Sequence, residues 1–451
     1  MREIDRTAIE DEGIPGYTLM TRAGAAAVRA ARERFPDATR WQVVCGAGNN
    51  AGDGYVVARL AAQDGIVVSV LALVDPESLT GDAATAYGDF AAEGGVVMPW
   101  EGALDDEASL IVDALLGSGL EREVTGEFSS AVSAMNAHSA RVMALDIPTG
   151  VHGDTGQVMG SAVEADLTVT FVGLKAGLFA GEGAELSGAI VFDGLDVPEH
   201  CRPHAEAMSR RISSRVLRRC LKRRPRSAHK GDFGHVLIIG GGEGMPGAVR
   251  LAGEAALRAG AGLVSVATHP SHAAVIVGSR PELMSHGIAD ADSLAPLLER
   301  ATAIAFGPGL GRSEWAQQLY AVVSELELPC VWDADALNLL AETPAKNARR
   351  IITPHPGEAA RLLGDTTSVV QENRPAALHS LQDRYGGVVV LKGANTLVTS
   401  KKQVPWLCTS GNPGMASPGM GDVLTGIVAA LLAQGLGKEA SAVVGVEAHA
   451  R

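Results

Sequence analysis

The stretch Gly411-Asn-Pro-Gly-Met-Ala-Ser-Pro-Gly-Met-Gly-Asp-Val-Leu-Thr-Gly426 decides how the chain is read, because it sets a lone carboxylate, Asp422, at the mouth of an apolar helix behind a glycine-rich turn. Backbone N–H groups from Gly419 to Gly421 are placed to converge on an anion, and a helix from Val423 adds its positive end. Asp422 then faces a reacting hydroxyl, as phosphoryl transfer requires. Taken alone, such a loop is better explained as a tight turn whose Asp422 caps the helix. The rest of the chain decides otherwise.

Upstream of this run lie short apolar segments, His235–Gly240, Leu263–Ala267, Ala303–Phe306, Cys330–Asp333, Arg350–Thr353 and Val388–Leu391. Ala-rich amphipathic stretches separate them, the rhythm of βαβ units and a mostly parallel sheet. The same rhythm runs earlier through Trp41–Cys45, Ile66–Leu73, Ser109–Asp113, Arg141–Asp146 and Leu167–Val172. Two α/β sheets in tandem follow, with domains at 1–205 and 206–451. Prolines at 198, 203 and 225 and nine Arg/Lys between Arg210 and Arg226, without one acid, mark the junction. Ile212, Val216, Leu217 and Leu221 recur there at helical spacing, so the basic stretch reads as an amphipathic connecting helix with a solvated face, not a nucleic-acid tail.

Bulk properties agree. A chain of 451 residues with 46% hydrophobic content exceeds one ordinary core, and 4% aromatic residues with 54 glycines suit α/β layers packed by Ala, Val and Leu. A formal charge of −14 argues against nucleic-acid or anionic-membrane partners. The five cysteines are scattered and lack a CxxC spacing, so neither a disulfide framework nor a zinc site is expected, and a cytoplasmic setting fits. No signal peptide or membrane-spanning run is visible.

In the first half, Gly46-Ala-Gly-Asn-Asn-Ala-Gly-Asp-Gly54 follows a strand and opens a helix, where open α/β sheets bind ligands. Asn49 and Asn50 bring amide carbonyls as well as donors. The pattern is not GxGxxG with an acid about 20 residues on, which argues against dehydrogenase-type cofactor use. Asp113-Ala-Leu-Leu-Gly-Ser-Gly119 and Asp146-Ile-Pro-Thr-Gly150 each place an Asp at a strand's carboxyl end. Either alone reads as a cap or turn; three strand ends on one crevice read as a site. Oxygen ligands from Asn50, Asp113 and Thr149 suit a hard, weakly bound cation.

In the second half, the Gly240–Arg250 turn, Gly307-Pro-Gly-Leu-Gly311, Asp333–Asn338, Thr353-Pro-His-Pro-Gly-Glu358 and Lys392-Gly-Ala-Asn-Thr396 each follow a strand and should gather on one sheet edge. His355, stiffened by flanking prolines, is placed to stack on or hydrogen-bond a ligand, and Lys392 to meet a phosphate. Singly, each is better read as a surface histidine and a solvated strand terminus.

The three first-half segments resemble the epimerase domain of the NAD(P)H-hydrate repair system, and the second half resembles its ribokinase-like dehydratase partner, from Ile4-Asp-Arg to the last helix in the order of the fused bifunctional enzymes. The resemblance implies two tandem three-layer αβα domains, the first Rossmann-like and the second ribokinase-like. It implies that Asn49, Asn50, Ala51, Gly52 and Asp53, with Gly117, Ser118, Gly119, Leu120, Glu121, Arg122 and Glu123, contact the hydrated dinucleotide. Asn50, Asp113 and Thr149 then bind K⁺, and Asp146 sits beside the hydrated ring. In the second half Ala248, Gly309, His355 and Asp422 contact the hydrate, with Asp422 catalytic. Lys392, Gly393, Ala394, Asn395, Thr396 and Gly421 contact ADP or ATP, which brings Mg²⁺. NADH-hydrate and NADPH-hydrate are the implied substrates, and a homo-oligomer is the expected assembly.

Ala51 stands where the family usually has Gly, and Thr149 where it usually has Ser. The last residues, His449-Ala-Arg451, fall where a member would continue its closing helix, so the recorded sequence is expected to be shortened. The competing expectation is a sugar or vitamin-precursor kinase whose first half is a noncatalytic nucleotide sensor.

Overall fold

The computed structural model describes residues 2–201, 207–400 and 404–451, without the side chains of Arg2 and Ser279. It divides into two compact units, Met1–Ala207 and Met208–Arg451. The expected junction near residue 205 lies outside the described residues.

In the first unit the strands are β1 (Arg40–Cys45), β2 (Val67–Ala72), β3 (Val97–Pro99), β4 (Leu110–Ala114), β5 (Arg141–Leu145), β6 (Leu167–Phe171) and β7 (Ala189–Asp193), in the order β3-β2-β1-β4-β5-β6-β7. All pairings are parallel. Continuous apolar runs such as Leu110-Ile-Val-Asp-Ala114 are buried throughout, as a strand covered on both faces must be. Helices Gly16–Arg34 and Asn49–Gln63 bring Ala23, Ala27, Ala58 and Ala61 against this sheet around Trp41 and Tyr55. Small side chains let these layers approach closely, and each large apolar group so buried contributes about 1.5–3 kcal/mol.

In the second unit the strands are β8 (Arg210–Arg211), β9 (His235–Ile239), β10 (Leu263–Thr268), β11 (Met284–Gly287), β12 (Ala303–Phe306), β13 (Cys330–Trp332), β14 (Arg350–Ile352), β15 (Val388–Leu391), β16 (Leu397–Thr399) and β17 (Trp406–Leu407). Their order is β11-β10-β9-β12-β13-β14-β15-β16-β17-β8. Pairing is parallel from β11 to β15, turns antiparallel through β16 and β17, and ends with β8 parallel to β17. Helices Pro246–Arg258 and Met420–Ala433 pack together tightly enough that a Cβ on Gly426 would lie 2.1 Å from the Ala252 carbonyl.

The central strands therefore fall where periodicity places them, while β3, β7, β8, β11, β16 and β17 are too short or too half-exposed to announce themselves. The basic junction also differs from expectation. Ile212 is buried beside β8, with its N–H donating to Leu407, and only Ser214–Cys220 is helical, leaving Leu221 exposed.

In both sheets the strand order reverses beside the first strand of the parallel run, between β1 and β4 and between β9 and β12. Loops leaving neighbouring strands there diverge to opposite faces and open a crevice at the carboxyl edge.

Candidate functional site

Loops after β1, β4, β5 and β6 enclose a cavity of about 1030 Å³ in the first unit. Asn49, Asn50, Asp53, Gly117 to Arg122 and Asp146 line it. Ala51, Gly52 and Glu123 are not among its lining residues. Ala51 is a fully buried helical residue in the core, Gly52 is so close to Met20 that an added Cβ would meet its methyl carbon at 2.6 Å, and Glu123 is exposed beside Gly160. Ala51 has right-handed helical backbone, so its methyl forces no unusual dihedral.

Asp146 is one of few non-glycine residues with positive φ, at 68°. Such a conformation persists where surrounding bonds fix it. Here the Asp146 N–H donates to Val169 at 2.7 Å, the Ser118 N–H donates to its Oδ2 at 3.3 Å, and the Lys175 ammonium pairs with its Oδ1. Lys175 is buried and also donates to Thr170 Oγ1 at 3.1 Å and the Phe171 carbonyl at 2.9 Å. Sequence reading missed this lysine; its only local signal is a position just beyond an apolar strand end. Asp53 faces the same cavity, and no hydrogen bond or ion pair engages it among the described residues. Burial, then Asp146, holds its carboxyl well above the usual carboxylate range.

Asp113 is fully buried, accepting from the Thr149 N–H at 2.8 Å, the Thr149 hydroxyl at 2.7 Å and the Leu115 N–H at 3.2 Å. Burial pushes its carboxyl up to about 6 against these bonds. Asn50 sits under Gly117, and both its side-chain oxygen and nitrogen are buried without a hydrogen-bond partner. The orphaned amide oxygen of Asn50 and the oxygens of Asp113 and Thr149 are all hard donors, the chemistry that a weakly held alkali cation takes.

In the second unit the glycine turn and the five strand-end loops come together. Gly242 N–H donates to Gly309 at 2.7 Å, and a Cβ on Gly309 would lie 3.0 Å from that of Ala248. Gly311 N–H donates to Asp335 at 2.8 Å. Lys392 Nζ donates to Asp333 Oδ1 at 2.6 Å and lies 3.8 Å from Glu358 Oε2, while Thr425 donates to Asp333 Oδ2 at 2.9 Å. Gly421 is pressed against this pair, since a Cβ there would stand 3.3 Å from both Asp333 Oδ2 and Lys392 Nζ. The helix begins at Met420, not Val423: Gly419 takes φ 87°, which glycine adopts freely, and starts the helical turn earlier. Asp422 therefore lies within the first turn, and it makes no capping bond.

Burial would lower the Lys392 pKa, but the Asp333 and Glu358 carboxylates outweigh it and raise the net value. Burial likewise opposes ionisation of Asp333, yet Lys392 holds its carboxyl below the usual range. Asp422 has no such partner; burial, then Asp333, pushes it up to about 6. His355 is the N-cap of helix Pro356–Leu363: its Nδ1 accepts from Gly357 at 3.0 Å and Glu358 at 3.3 Å, and its own N–H donates to Glu358 at 2.8 Å. Its Nε2 lies 3.5 Å from Glu358 Oε1. Arg374 props the Lys392–Thr396 turn, donating to the carbonyls of Leu391 at 3.3 Å and Lys392 at 3.4 Å. In sequence Asp333, Glu358 and Thr425 stand only as members of quoted loops, and no motif singles out Arg374.

Two α/β units, each with buried carboxylates and an ammonium at the carboxyl edge of its sheet, define a two-site protein of the doubly wound class. Residues 236–451 match the family described as NAD(P)H-hydrate dehydratase, and residues 16–177 match that of the YjeF-related protein N-terminus. The chain is 46% identical to the bifunctional NAD(P)H-hydrate repair enzyme of Coxiella burnetii over 100% of its length and 92% of that protein's. It is 44% identical to the Escherichia coli enzyme of the same name, over 100% and 87%. A ribokinase-like protein of Enterococcus faecalis superposes with a TM-score of 0.51 at 30% identity, covering 54% of this chain and 86% of that one. The chain belongs to the bifunctional NAD(P)H-hydrate repair enzyme family. Among the described residues, no helix is long and apolar enough to cross a membrane.

Proposed function

We propose that the first unit interconverts the (R) and (S) forms of NADH-hydrate and NADPH-hydrate, and that the second dehydrates the (S) form to NAD(P)H at the expense of ADP or ATP. One observation carries the reading. Asp422 is half-buried, without a partner among the described residues and set in the first turn of a helix whose opening amides have no intrahelical acceptor, beside the Lys392–Asp333 pair. Hydroxide is a poor leaving group, and phosphate a good one. Asp422 accepts the proton as the substrate hydroxyl attacks the terminal phosphorus and the bond to the departing nucleotide breaks; phosphate then leaves the ring carbon with the C–O electron pair as the ring nitrogen's lone pair forms a C=N bond, and loss of the proton on the adjacent ring carbon restores the C=C bond of NAD(P)H. The amides around Gly421 and the Lys392 ammonium stabilise charge on the transferred group. Nucleotide-bound Mg²⁺ supplies further neutralisation of the phosphates. His355, Ala248 and Gly309 bound the hydrate side, and the Lys392–Thr396 turn the nucleotide side.

In the first unit the cavity has room for a dinucleotide, and Asp146 and Asp53 both line it. Asn50, Asp113 and Thr149 hold K⁺ and fix the loop that carries Gly117 and Ser118. A cytoplasmic setting suits the free, buried thiols at Cys45, Cys330 and Cys408.

Purified chain given mixed NADH-hydrate isomers and ADP should regain reduced-nicotinamide absorbance completely. Recovery of one isomer alone would reduce the first unit to a nucleotide sensor. No recovery, with a stable phosphorylated product from a sugar or vitamin precursor, would support the kinase reading.

A further inference from the structure

Asp146 and Asp53 share one cavity but are held in opposite ways. Both oxygens of Asp146 are engaged, one by Lys175 and one by the Ser118 N–H, and its backbone is locked at φ 68°. Lys175 spends its three N–H bonds on Asp146, Thr170 and Phe171 and has none left for substrate. Asp53, in the first turn of helix Asn49–Gln63, has no partner among the described residues. Two carboxyls whose surroundings differ in this way divide into proton donor and ionised acceptor. The charged groups that face Asp53 are Asp5 from helix Arg2–Arg6, Asp146 after β5 and Lys175 after β6.

We infer that Asp53 and Asp146 form an acid–base couple for the epimerisation, with Lys175 as the positioning residue that aims the Asp146 carboxylate; the inference rests on the epimerase reading of this unit. Asp53 gives its proton to the hydroxyl of the hydrated ring carbon. The carbon–oxygen bond breaks, its electron pair leaves with water, and the ring nitrogen's lone pair forms the C=N bond of a cation that faces the Asp146 carboxylate. A water molecule adds to the opposite face of that carbon and surrenders its proton to Asp146, leaving Asp53 ionised. The reverse turnover restores both groups. Each inversion therefore replaces the substrate's hydroxyl oxygen with one from solvent.

The test uses the full chain, a single NADH-hydrate isomer and no nucleotide, in ¹⁸O-water, with the other isomer followed by chromatography and mass. Wild type should yield an epimer carrying solvent oxygen above an enzyme-free control. Asp53→Asn should lose kcat by about 10²-fold or more with KM changed less than about threefold, and Asp53→Glu should regain part of it. Lys175→Met should lose kcat similarly, and Lys175→Arg should recover some; a merely structural lysine would show no such rescue. Retained substrate oxygen in wild type, or an Asp53→Asn kcat within about tenfold of normal, overturns the couple while leaving the epimerase reading intact. A wild-type chain that does not interconvert the isomers removes both.

Discussion

Each unit pairs a lysine with an aspartate at the carboxyl edge of its sheet and leaves a second carboxyl without a partner, among the described residues, beside that pair. Lys175–Asp146 stands with Asp53 in the first, and Lys392–Asp333 with Asp422 in the second. The roles of the two aspartates differ. In the first unit the paired Asp146 lines the cavity itself, whereas Asp333 is sealed behind Gly421 and tied to Thr425, so only the lone Asp422 is left for substrate. A paired carboxylate stays ionised but is a weak base, and an unpaired buried one is a stronger base or a ready acid. The first arrangement suits stabilising a cation, and the second suits taking a proton from an attacking hydroxyl.

This contrast breaks most sharply at Asp422. Asp422→Ala should lower kcat for dehydration by about 10³-fold while nucleotide still binds, as judged by ADP titration; turnover near normal would remove its role as base. Lys392→Met leaves the Asp333 carboxylate buried without its partner and should cost the second unit about 3–5 kcal/mol, read from urea unfolding. A change under about 1 kcal/mol would mean that water replaces the ammonium there, as at an exposed pair.

Thr149→Val removes the hydroxyl that donates to Asp113 at 2.7 Å and accepts from Leu116 at 2.9 Å. It should destabilise the first unit by about 1–3 kcal/mol and abolish stimulation of epimerisation by K⁺. Stimulation equal to wild type would take the cation away from this cluster.

The pH dependence follows from Asp422. Its folded-state carboxyl is raised to about 6, so the catalytically useful ionised form is lost below that value, and the dehydration rate should drop about tenfold per pH unit there. The stability contribution has the opposite sign. A raised carboxyl pKa favours folding where the group is protonated, and that contribution is lost as pH rises through about 6. A profile flat down to pH about 5 would show that Asp422 is not the titrating base. The smallest effect belongs to Ala51→Gly: this buried helical position should lose about 1 kcal/mol of stability with epimerase kcat unchanged.

How much of this was legible depends on distance along the chain. The glycine-rich turns, the central strands and the lone Asp422 are written in neighbouring residues, because a strand's apolar run and the helix it feeds are local patterns. Ala51 and Gly52 read in sequence as part of a loop, whereas they lie in the first turn of a helix on the side that packs into the core. His355 was recognised as special, yet its Nδ1 serves a helix start, a bond that the Pro-His-Pro spacing does not announce.

By itself the sequence determined the α/β rhythm, the tandem arrangement and the edge on which the ligand loops gather, since these follow from periodicity and from where glycines permit a turn. Only the tertiary structure decided which charges meet. Lys175 lies 29 residues from Asp146, Lys392 lies 59 from Asp333 and Thr425 lies 92 from that same aspartate. Such partners become neighbours only when parallel strands, joined through long crossovers, align their carboxyl ends, and burial then gives one carboxyl a counter-ion and leaves the next without one.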